Sequence, residues 1–66
     1  MPFHVYIVEN HMVLMNEDGD TFGHFTLDAG YAAAKRQIRK WSTEHAIYIG
    51  DAYRTLDEHF MKAATK

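Results

Sequence analysis

The apolar residues of this chain change their spacing near Leu27, and that switch constrains the fold more than any other feature. Before it, short runs rich in β-branched and aromatic residues alternate with polar breaks. After it, apolar residues recur three and four positions apart. A chain that passes from strand spacing to helix spacing in this way is expected to be α+β, with strands and helices largely segregated.

The first run, Phe3-His4-Val5-Tyr6-Ile7-Val8, is too short for a helix and reads as a strand. Glu9-Asn10-His11 interrupts it, and Met12-Val13-Leu14-Met15 forms a second run. The polar cluster Asn16-Glu17-Asp18-Gly19-Asp20 then leads into a third strand, Thr21-Phe22-Gly23-His24-Phe25-Thr26. Asp-Gly between two such runs signals a hairpin, because Gly accepts positive φ at no steric cost. A two-residue loop would set Met15 opposite Phe22 and Val13 opposite His24; a three-residue loop with a Gly bulge would set Leu14 opposite Phe22. Met12 to Met15 are apolar at every position, so alternation does not choose between the registers. Gly23 inside the strand marks a bulge or a close backbone approach.

Tyr31, Ala34, Ile38 and Trp41 lie on one stripe of a helix running from about Asp28 or Ala29 to Ser42, with Asp28 as its expected N-cap. Ala46-Ile47-Tyr48-Ile49, bounded by Gly50, reads as a short fourth strand, with a buried helix turn as the alternative. A second helix follows with Tyr53, Leu56 and Phe60 on one face, starting either at an Asp51 cap or at the capping box Thr55 to Glu58. Its tail, Ala63 to Lys66, has little to hold it. The expected architecture is one α+β domain over residues 1–66, in the order βββαβα: a three-stranded antiparallel meander, a helix, a short fourth strand and a C-terminal helix.

A core of this size is thin. Ordering a residue costs roughly 1.5 kcal/mol, so small domains usually add disulfides, a metal or a second subunit. The chain has no Cys, which removes the first option and suits a reducing cytoplasm. The start of the chain lacks the features of a secretory signal and no run is long enough to span a membrane, so cytoplasmic residence is expected. Homodimerisation, or folding onto a partner, is the expected means of completing the core.

No stretch carries a motif specific to a reaction. The five histidines, His4, His11, His24, His45 and His59, show no dense metal-ligand spacing, although His4 and His24 could meet across strands. Asn16, Asp18 and Asp20 begin like a calcium loop, but Thr21 and Leu27 stand where Gly and Glu are required. Ser42 and His45 at a helix end lack an oxyanion hole, and the four glycines are scattered rather than gathered into a phosphate loop. The sequence therefore points to a protein that is not an enzyme and calls for no cofactor and no metal.

Charge is divided along the chain. Residues 1–30 hold five acids and no Lys or Arg, whereas residues 31–66 hold seven bases and four acids. Acids gathering in turns and bases on helix faces account for such a division. Four of the bases, Lys35, Arg36, Arg39 and Lys40, fall opposite the apolar stripe of the first helix, where all four could point outward as a binding patch. Phe, Tyr, Trp and Met make up 13 of the 66 residues, more than so small an interior readily hides, and these types are enriched at interfaces. The expected function is a small non-enzymatic protein-binding module, of the accessory kind common in phages and plasmids, that inhibits or modulates a larger host protein. Nucleic-acid binding through the basic face of helix 28–42 ranks second. Three strands followed by a helix resembles the order of DNA-binding domains that lay a sheet in the major groove, but such readers need Arg and Lys on the strands, and residues 1–30 have none.

Overall fold

The computed structural model describes residues 2–64 and shows an α+β fold. Strands β1 (His4–Val8), β2 (His11–Met15) and β3 (Thr21–Thr26) form an antiparallel sheet in the order β1-β2-β3. A 3-10 turn at Leu27–Ala29 leads to α1 (Tyr31–Glu44), and α2 (Ile49–Ala64) follows. Thr65 and Lys66, at the tail expected to fray, lie outside the described residues.

Period-2 alternation sorts the strands into two faces. Val5, Met12 and Leu14 are buried on the inner face with Phe3, Ile7 and Phe25 beside them. His4, Tyr6, Val8, His11, Val13, Met15 and His24 take the outer face. Both helices cover the inner face, α2 along β1 and α1 towards β3. Ala34, Ile38 and Trp41 from α1 and Ala52 and Leu56 from α2 complete the core. Tyr31, placed on the same stripe by its spacing, is instead 38% exposed at the seam between the helices.

Each turn is fixed by its own chemistry. Val8 pairs with His11, leaving Glu9-Asn10 as a two-residue loop with Glu9 at φ 57°. Asn10 ties this loop to the other side of the sheet: its carbonyl accepts from the Leu27 N–H at 2.8 Å, and its side-chain amide donates to the Asp28 carboxylate. In the second turn the Asn16 Oδ1 accepts from the N–H groups of Asp18 and Asp20 at 3.0 and 2.9 Å, and Gly19 sits at φ 87°. Asn16 to Asp20 is thus a polar hairpin turn.

The β2–β3 register combines features of both expected hairpins. Val13 pairs with His24, Leu14 with Gly23 and Met15 with Thr21, so Phe22 is the extra residue of a bulge. A Cβ on Gly23 would lie 3.1 Å from the Trp41 Nε1, which shows the close approach that this glycine permits.

Two helix starts and the fourth strand differ from expectation. Asp28 does not cap α1, because its carboxylate is engaged by Asn10 and Gly30, at φ 99° and ψ 166°, separates the 3-10 turn from the helix. Residues 46–49 do not form a fourth strand, nor a buried helix turn. Ile47 makes one parallel bridge with Phe3, through Phe3 N–H to the Ala46 carbonyl (2.7 Å) and Tyr48 N–H to the Phe3 carbonyl (3.4 Å). The chain then leaves the sheet, because burying Ala52 and Leu56 needs a helix and its first turn takes up Ile49 to Asp51. The Tyr48 carbonyl already accepts from the Ala52 N–H at 2.9 Å, ahead of both expected starts.

Candidate functional site

The basic cluster does not form one outward patch. Lys35 is half-buried, with its ammonium 5.5 Å from the Tyr31 ring centroid and 5.4 Å from that of Tyr53, so the helix seam engages it. Arg36, Arg39 and Lys40 are exposed and share a side of α1 at helical spacing. Arg54, on α2, is held by the Asp51 carboxylate one turn back.

At the same seam the Tyr31 hydroxyl donates to the Asp57 carboxylate. That hydrogen bond, reinforced by partial desolvation and by the negative charge of Asp57, holds the phenol above its ordinary value of 10.0.

The histidines do not converge. His4 pairs with Met15 and His24 with Val13, so β2 stands between the two imidazoles on the outer face. His45 stacks on Phe3 at 4.6 Å, and the Ser42 hydroxyl donates to the Arg39 carbonyl at 2.7 Å, a helix-turn role rather than a catalytic pairing. Among the described residues no group of three His, Asp or Glu could hold a metal ion, and no helix is long and apolar enough to cross a membrane.

A groove of about 550 Å³ runs between β1 and α2. Its β1 wall is His4, Val5, Tyr6 and Ile7, and α2 supplies Asp51, Arg54, Thr55, Glu58, His59 and Lys62. The sheet edge inside it is open. Phe3 directs its N–H and C=O away from β2 to Ala46 and Tyr48, and backbone direction alternates along a strand. Val5 and Ile7 therefore present their N–H and C=O to the groove, while His4, Tyr6 and Val8 bond to β2. Among the described residues no backbone group pairs with Val5 or Ile7 on that side.

The outer rim of this edge is aromatic. The His4 ring lies 5.9 Å from Tyr6 and 5.2 Å from Tyr48, and the two tyrosines are 45% and 49% exposed. A meander necessarily leaves its first strand at an edge, which was the signal in the sequence for this site. Reading residues 46–49 as a short fourth strand leaves open whether that edge is covered. Comparison with known protein families, characterised proteins and solved structures finds no match to this chain.

Proposed function

We propose that the protein is a non-enzymatic binding module that takes an extended segment of another protein onto the free edge of β1. The observation that carries this reading is the unpaired Val5 and Ile7 backbone lying open in the β1–α2 groove. Main-chain hydrogen bonds give affinity in such strand addition, and flanking side chains give specificity. The aromatic rim of Tyr6, His4 and Tyr48 supplies residue types enriched at interfaces. A module that captures a segment of a larger protein in the cytoplasm acts on it as an accessory inhibitor or modulator. A second copy of the chain competes for the same edge as a homodimer. The alternative is nucleic-acid binding by Arg36, Arg39 and Lys40, which ranks second because the outer sheet face carries no Lys or Arg.

The test is selection of linear peptides from a displayed library on the immobilised protein, followed by anisotropy titration of the recovered peptides. Ile7→Pro should weaken binding at least tenfold while the circular dichroism spectrum persists, since it removes a donor on the free edge. Arg36→Glu with Lys40→Glu should leave affinity within twofold. The reverse pattern would place the binding surface on α1, and light scattering across concentration reads out self-association.

A further inference from the structure

Resting on that reading, we infer that the groove selects its strand by side-chain alternation, with an aromatic or β-branched residue opposite Tyr6 and polar residues opposite Val5 and Ile7. Residues directly opposite in a strand pair share a face. An incoming residue opposite Tyr6 therefore points to the outer side, and its neighbours point inward over α2.

The two sides differ in chemistry. On the outer side Tyr6 and Tyr48 flank the His4 imidazole, and Val8, 56% exposed, continues the row. On the inner side the groove is floored by the Asp51–Arg54 ion pair, Thr55, Glu58, His59 and Lys62. An apolar side chain directed inward would strip water from these charged groups without replacing their hydrogen bonds, whereas a hydroxyl or amide replaces them.

The chain itself supplies a precedent for the outward position alone, since the inward residue of its own pairing, Ile47, is apolar and meets the core rather than the charged residues of α2. Residues 46–48 pair with the same edge at Phe3, and in that short pairing Tyr48 lies beside His4 while Ile47 packs against the core. An incoming strand continues the line of this segment along β1, with its outward residue falling on the aromatic rim. The β1 wall spans four residues, about 13 Å at the usual rise per residue, so about four residues of the partner make the contact.

Three capped octapeptides, each with two terminal lysines for solubility, test this against the full chain. The first alternates Tyr and Thr; the second has the same composition with its tyrosines consecutive; the third alternates Tyr and Leu. The first should shift the amide resonances of Val5 and Ile7 and bind at least fivefold tighter than the other two. Tyr6→Ser, an exposed substitution, should lower its affinity about fivefold, the effect of losing one good cross-strand contact. If all three peptides shift Val5 and Ile7 with equal affinity and Tyr6→Ser changes nothing, the alternation rule is overturned while strand addition stands. If none shifts these resonances at millimolar peptide, both the rule and the proposed function fall.

Discussion

The sheet has two edges, and they are built differently. β1 runs in unbroken register through five pairs, from His4 with Met15 to Val8 with His11. β3 is broken by the bulge at Phe22, and the extra residue brings its ring to Phe3 at 5.0 Å and to His45 at 6.1 Å, beside the C-terminal end of α1. Neither strand carries a Lys or Glu to repel another chain, so geometry alone separates them. A bulge twists an edge and disrupts its ladder, one of the ways natural sheets prevent unwanted pairing. The bulge makes β3 the less regular of the two edges. Among the described residues the β1 edge is covered at the adjacent Phe3, by the residues on their way to α2, and the remainder opens into the groove.

The largest test of this contrast is the lock on β3. Trp41 is 5% exposed and packs its indole against Gly23, so Trp41→Ala removes the wall that positions the bulged strand. The expected loss is about 3–5 kcal/mol, as for other buried aromatic truncations. A chain of this size has a total stability of about 3–10 kcal/mol, so the variant should lose a large share of it and unfold at a much lower urea midpoint. A midpoint close to wild type would mean that the helix does not hold β3.

A second test reads the hydrogen-bond parity of β1. Tyr6 is exposed but its N–H belongs to the β1–β2 ladder, whereas Ile7 is half-buried and its N–H faces the groove. Tyr6→Pro should cost about 1–3 kcal/mol, because it leaves a ladder acceptor unpaired. Ile7→Pro should cost less, since proline is tolerated where the N–H faces away from the sheet. Burial alone predicts the opposite order. Denaturant midpoints falling in that opposite order would assign the free edge to His4 and Tyr6 instead. Smaller still, Phe22→Ser should cost about 0.5–1.5 kcal/mol, the worth of an aromatic pair beyond its burial, and should leave the β1 edge unaffected in peptide titrations.

Much of the fold could be read from residue pattern. The three strands, the Asp-Gly turn, the close approach at Gly23 and the Ala34, Ile38, Trp41 face all follow from local spacing and turn chemistry. What local spacing could not show depended on partners distant in sequence. Asp28 looks like a cap until Asn10 takes its carboxylate, and residues 46–49 look like a strand until the burial of Ala52 and Leu56 draws Ile49 into a helix and leaves Ile47 a single bridge to Phe3. The groove was hidden for the same reason, since it exists only because that segment turns away from β1. Lys35 likewise reads as one of four outward bases until Tyr53 arrives from the second helix.

The smallest expected effects lie on α1, and they decide whether the edge or the basic face does the binding. Arg36 and Lys40 are exposed, and among the described residues no ion pair holds them, so reversing both to Glu should change stability by no more than about 0.5 kcal/mol each. Negative charge towards the C-terminal half of the helix opposes its dipole, which sets the sign as slightly destabilising. Lys35→Ala should differ from this pair although it removes only one charge. It deletes the cation between Tyr31 and Tyr53 and should cost about 0.5–1 kcal/mol, with a matching loss of contact between the helices. Thermal melts of the two variants side by side separate a solvated face from an engaged residue. Peptide affinity should be unchanged in both, because neither alters the Val5 and Ile7 edge; a loss confined to the Arg36 and Lys40 reversal would move the site to α1 and erase the functional difference between the two sheet edges.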